Sequence, residues 1–160
     1  MKKFFSFAIA LVTCALVFTS CEQKIDSPLV GGWTAGRGTL EVVNPIDNTV
    51  EVRECSVSIN FFDNGRFQHD ISLLEEADAS GYSAIRDSYS LEGSWTVDGD
   101  KLTLRKEKYG LRHDGQMTYS KDYKPSEELV KWVIDGHHLK LTRNLGTDKE
   151  YEEVYSDGKM

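Results

Sequence analysis

The chain has 160 residues, with 26 acidic side chains against 19 basic ones and a formal net charge of −7. No basic patch of the kind that nucleic-acid surfaces require is present, so that class of partner is excluded. The length allows one ordinary domain with a real core.

The first twenty residues differ in kind from the rest. Met1-Lys2-Lys3 is a short basic start, and the stretch from Phe4 to Ser20 carries no charge over 17 residues. Small residues, Thr19 and Ser20, stand directly before Cys21. A basic start, an apolar run and a small-residue cut site are the layout of a secretory signal helix. A spanning helix needs ~17–25 apolar residues and a basic cytoplasmic flank, and no such flank follows.

These residues resemble bacterial lipoprotein precursors, in which a cysteine follows the cut and small residues precede it. Thr19, Ser20 and Cys21 fit that pattern, and Phe18 stands where Leu is commoner. The resemblance implies cleavage before Cys21, a diacylglyceryl group on its thiol and acyl chains of the palmitate class. Each buried CH₂ contributes ~0.8 kcal/mol, so two or three chains make a firm membrane anchor. The chain then faces the periplasm or the cell surface, held to a cell-envelope membrane through lipid on Cys21. Removing residues 1–20 takes away Lys2 and Lys3 and no acid, moving the formal charge from −7 to −9.

Cys14 leaves with the signal, so Cys55 is the one thiol left beside the lipidated Cys21. It has no cysteine with which to form an internal disulfide. Its place in an alternating strand makes it a small hydrophobe of the core.

Residues 21–30 read as the lipidated cysteine and a tether, 31–156 as the folded domain, and 157–160 as a tail. Beyond the tether the pattern has period two almost throughout. Leu40 and Val42 alternate in a first strand ending near Asn44-Pro45. Between Thr49 and Phe61, the inward parity changes from Val50 and Val52 to Cys55, Val57, Ile59 and Phe61, which predicts a β-bulge at Arg53-Glu54. Asp63-Asn64-Gly65 is a hairpin turn into Phe67–Leu73. A long connection over 74–87 follows, with room for one helical turn. Tyr89, Leu91, Gly93, Trp95 and Val97 share one face of the next strand. Asp98-Gly99-Asp100 turns it into a strand with Leu102 and Leu104 inward. A second long connection is expected over 106–127. Val130, Trp132 and Ile134, an Asp135-Gly136 turn, Leu139 and Leu141, and a strand over 151–155 complete eight strands. The segment from Trp95 to Leu104 is echoed from Trp132 to Leu141, one hairpin solution used twice.

Eight antiparallel strands in neighbour order favour an up-and-down barrel, which removes sheet edges, over a sandwich. Gly31-Gly32-Trp33 at the first strand, the segment Ile59–Phe67 and the segment Leu91–Leu104 resemble the Gly-x-Trp start and two hairpin motifs of bacterial lipocalin-like lipoproteins. The similarity runs from about Leu29 to Tyr155. It implies an all-β, eight-stranded antiparallel lipocalin-like barrel behind the N-terminal signal helix. Arg143 is a candidate to pack across Trp33, as an arginine does in secreted lipocalins.

Catalytic patterns are absent from the sequence. No Gly-x-Ser-x-Gly elbow or phosphate-cradling glycine run occurs. His137 and His138 are adjacent, so on a strand they point to opposite faces and do not share a metal. The pairs Glu75-Glu76, Glu127-Glu128 and Glu152-Glu153 face apart in strands and are solvated in loops. We therefore expect neither an enzyme nor a metal or cofactor site. The inward aromatics are the candidate ligand-binding residues: Trp33, Tyr89, Leu91, Trp95 and Trp132 offer apolar bodies, four of them with a polar handle. Two functions follow. One is a barrel binding a small, partly apolar molecule; the other is a filled barrel whose connections, bearing Tyr82, Tyr109, Tyr119 and Tyr123, contact an envelope protein.

Overall fold

A computed structural model describes residues 24–44, 47, 49–75 and 85–158. The segment expected to be a signal helix and Cys21 lie outside the described residues. Eight strands follow in chain order: β1 (Gly31–Val43), β2 (Val50–Phe61), β3 (Arg66–Leu74), β4 (Ile85–Asp98), β5 (Lys101–His113), β6 (Gln116–Asp135), β7 (His138–Arg143) and β8 (Tyr151–Ser156). Each pairs antiparallel with the next, and β8 returns to β1 at Thr34↔Ser156, so the sheet is a closed up-and-down barrel. The fold class read from alternation is the one observed.

The Asp63-Asn64-Gly65 turn forms where the sequence places it. Gly65 has φ +77°, a conformation that side chains other than glycine resist. Gly93 answers a different need. A Cβ there would overlap the Arg105 carbonyl oxygen and the Phe67 ring, so only glycine lets β4 and β5 approach this closely.

Three details depart from the sequence reading. The register break lies in β1, between Thr34 and Arg37, not at Arg53-Glu54. Val50 and Val52 simply face solvent, at 60% and 66% exposure, so β2 keeps one parity and needs no bulge there. The connection expected over 106–127 is instead the far halves of β5 and β6, paired up to His113↔Gln116 across an Asp114-Gly115 turn. Its polar residues look like loop because this ribbon extends past β7, whose pairing with β6 covers only Lys131 to Asp135. The connection expected over 74–87 is shorter, since β4 begins at Ile85; most of it lies outside the described residues.

The core occupies one end of the barrel. Leu29, Trp33, Ile59, Phe61, Phe67, Trp95, Leu102, Leu104, Val130, Leu139, Leu141 and Tyr155 form one buried cluster. Residues 24–30 are part of that end. Leu29 is fully buried and its carbonyl accepts the Trp33 Nε1–H at 2.9 Å. The Ile25 N–H donates to the Asp63 carbonyl at 2.7 Å, and Ile25 packs on the cluster. A second, smaller cluster of Val42, Cys55, Leu73 and Tyr89 lies toward the other end, among the long strands. There Cys55 is buried, burial pushes its thiol pKa up, and Sγ lies 3.6 Å from the Gly38 carbonyl.

Candidate functional site

Above the main core the inward face changes character one residue at a time. Along β5 the inward positions run Leu102, Leu104, Lys106; along β7 they run Leu139, Leu141, Arg143. On the descending strands, Glu128 stands one inward step above Val130, and Glu153 one above Tyr155. His69 follows Phe67 on β3 in the same way. Four adjacent strands, β5 to β8, and β3 thus place a ring of polar groups on an apolar floor, because period-two alternation keeps every one of them inside.

That ring borders a cavity of about 490 Å³ within the barrel. Leu40, Val57, Ile59, Phe67, Ile71, Leu91 and Leu104 form its apolar wall. Lys106, Glu128, Arg143 and Glu153, on β5 to β8, face it from the other side, His69 stands between Phe67 and Ile71 on β3, and Asn144 and Tyr151 stand at the β7–β8 turn. Leu40 and Tyr151 line the cavity and are 42% and 48% exposed, so the space meets solvent at that end.

The polar wall is tightly paired. Arg143, 7% exposed, donates from Nε to Glu153 at 2.6 Å and from Nη1 to both Glu128 oxygens at 3.0 Å. Lys106 Nζ reaches Glu128 at 2.8 Å, and the Tyr155 hydroxyl donates to Glu153 at 2.8 Å. Two cations and two carboxylates balance. Burial opposes the charge on Arg143, but the Glu153 and Glu128 carboxylates outweigh it and raise its pKa. Burial likewise pushes Glu128 up, and Arg143 with Lys106 more than reverses this, holding it below the ordinary carboxylate value. Burial raises the Tyr155 phenol, and neighbouring Glu153 adds to the rise.

His69 is the odd member. Its ring borders the cavity, yet its Nε2 is shut from solvent and has no hydrogen-bond partner. Leaving such a group unpaired costs roughly 1–3 kcal/mol. Burial first, and then the charge of Arg143, push its pKa down to about 4, so it is neutral at pH 7. The ordinary value is 6.5, so between pH 6.5 and 4 the unfolded chain binds a proton that the folded chain does not. Stability therefore falls on acidification across that window. From pH 7.5 to 4.5 we expect urea unfolding to show a His69-dependent loss of about 2–3 kcal/mol. His69→Asn should flatten that slope; a slope identical to wild type would remove His69 as its cause.

The sequence-derived binding residues fare unequally. Leu91 lines the cavity. Trp33 and Trp95 are 5% and 1% exposed and belong to the packed floor below it. Trp132 packs on the outside of that cluster with its Nε1 donating to the Gly99 carbonyl at 3.1 Å. Tyr89 sits in the second cluster, its ring 6.2 Å from that of Tyr109. The aromatics are therefore structure more than wall. Arg143 engages Glu128 and Glu153 where the sequence offered Trp33. Glu127 and Glu152 do face outward, away from their inward neighbours Glu128 and Glu153. Among the described residues no cluster of three His, Cys, Asp or Glu side chains is disposed to hold a metal ion. Of the tyrosines proposed for a partner surface, Tyr109 packs on the second cluster, Tyr119 is half-buried, and Tyr82 lies outside the described residues.

Sequence reasoning missed the polar ring, although a signal for it exists. A charged residue in register with core leucines, as in Leu102-x-Leu104-x-Lys106 and Leu139-x-Leu141-x-Arg143, is out of place unless others meet it. The barrel is an eight-stranded antiparallel closed sheet compatible with a lipocalin-like fold. No protein-family model matches the chain, and no curated protein matches it.

Proposed function

We propose that this chain is a lipid-anchored lipoprotein of the cell envelope whose lipocalin-like barrel binds a small, partly apolar molecule. The observation that carries the reading is the cavity of about 490 Å³, with one apolar wall, one wall of converging polar groups and a mouth at the β7–β8 turn. Ligand pockets commonly have this size and this division of labour. At ~30 Å³ per water-sized group, the space takes roughly fifteen non-hydrogen atoms. The apolar wall supplies affinity by burial, and the charge-balanced wall favours a ligand with a neutral polar end over an ionised one. An anionic head would meet Glu128 and Glu153, and a cationic head would meet Arg143 and Lys106, each already committed.

Native mass spectrometry of residues 22–160, purified gently from the protein's own host, tests the binding. A stoichiometric small-molecule adduct that disappears on denaturation is expected, and Ile71→Trp, which fills the cavity, should abolish it. A bare protein mass in every preparation would instead favour the filled-barrel interaction module. The anchor is tested separately. Cys21→Ala should release the exported protein into the soluble envelope fraction, and retention on the membrane would refute the lipoprotein reading.

A further inference from the structure

The segment between the anchor and the barrel is shorter in effect than its sequence length. Residues 24–30 do not stand off from the domain: Lys24 pairs with Asp63 at 3.1 Å, the Ile25 N–H is bonded to the same residue's carbonyl, and Leu29 is buried in the core. The chain is therefore fixed to the barrel from Lys24 onward. Cys21 is three Cα steps away, which span at most about 11 Å in any conformation.

All the contacts of that segment are at one end. The turn Phe62–Gly65 meets Ile25, and the Trp95 N–H bonds the Gly65 carbonyl. The Trp132 N–H bonds Asp100, which brings the β4–β5 turn to the same end. This is the end that the main core fills. The cavity mouth, at Leu40, Asn144 and Tyr151, is at the other. A shallow groove beside the exit of the chain is bordered by Val30 and Phe62, 38% and 44% exposed.

We propose that this filled end, with Phe62 and Val30 foremost, is the face that rests on the lipid surface, so that the cavity mouth points away from the membrane. The proposal rests on the lipid at Cys21 read above. With a leash of about 11 Å the barrel has little room to turn over, and Phe62 and Val30 are exposed apolar side chains beside the exit of the chain. Strand β7, with 6 residues rising about 3.3 Å each and tilted by about 40°, puts the mouth at its far end roughly 15 Å farther out. The ligand then exchanges with the aqueous compartment and not with the bilayer. Charge adds nothing to the contact: Asp98, Asp100 and Asp135 are exposed at its turns and repel anionic headgroups, so the lipid anchor holds the face in place.

The full lipidated chain, reconstituted in phosphatidylcholine vesicles carrying a nitroxide on a fraction of the headgroups, tests this. A fluorophore on Phe62→Cys, or on Asn64→Cys should the first variant misfold, is expected to be quenched several-fold more than one on Asp148→Cys at the β7–β8 turn. Inserting twenty Gly/Ser residues after Glu22 should erase the contrast. Equal quenching at both positions on vesicle-bound protein would overturn the orientation. Stronger quenching at position 148 would invert it. Protein that fails to stay with the vesicles would overturn the anchor on which the orientation depends.

Discussion

Arg143→Met is expected to destabilise the domain by about 3–5 kcal/mol at pH 7, the range for breaking a buried ion pair from one side. Methionine keeps most of the apolar stem but removes the charge that Glu128 and Glu153 share. Glu128 keeps Lys106 and Glu153 keeps the Tyr155 hydroxyl, so the carboxylates remain bonded but with one positive charge too few. Two further measurements separate this cause from a packing defect. Adding Glu153→Gln to Arg143→Met should recover part of the loss, since it removes the surplus negative charge. Acidification toward pH 4 should narrow the gap between variant and wild type, since protonation does the same. Urea unfolding of the three proteins at two pH values gives the answer; a gap that is constant with pH would point to packing alone.

Trp95→Ala is expected to cost a similar amount, about 3–5 kcal/mol, through a cavity left in the floor of the barrel. The indole is 1% exposed, packs edge-on to Phe61 with centroids 5.3 Å apart, and donates to the Phe62 carbonyl at 3.1 Å. Trp95→Phe keeps most of the apolar area and loses that one hydrogen bond, so its effect should be nearer ~1 kcal/mol. Thermal unfolding ranks the two. Because Trp95 lies beneath the cavity and not in its wall, any ligand adduct should survive in Trp95→Phe at temperatures where it is folded. Loss of the adduct in a folded Trp95→Phe would return the tryptophan to the binding site.

Both predictions concern residues that alternation alone places inside the barrel, and they show how far alternation reaches. Trp95 is inward in the sequence and inward in the structure. Its role as floor depends on height along the barrel axis, which parity does not encode. Arg143 has the inward parity of Leu139 and Leu141, but its meaning comes from Glu128 and Glu153 on the flanking strands, 15 and 10 residues away. Single-strand patterns carry no information about which inward residues share a level.

Most of the strands, their neighbour order and their inward faces are legible in the linear pattern. Each of these is local: period-two burial makes the strand, an Asp-Gly or Asn-Gly pair makes the turn, and short turns force antiparallel neighbours. The resemblance of the first 21 residues to lipoprotein precursors is likewise a linear pattern that needs no fold to be read. That the far halves of β5 and β6 are a ribbon and not a loop came from the folded pairing, since polar residues on an open edge look the same in both. That residues 24–30 close one end of the barrel came from the fold too, because Leu29 has no periodic partner and is buried by contacts distant in sequence. The polar ring around His69 also waited on the fold. Five strands bring those side chains to one level only when register and closure are set, and closure is a property of the whole sheet.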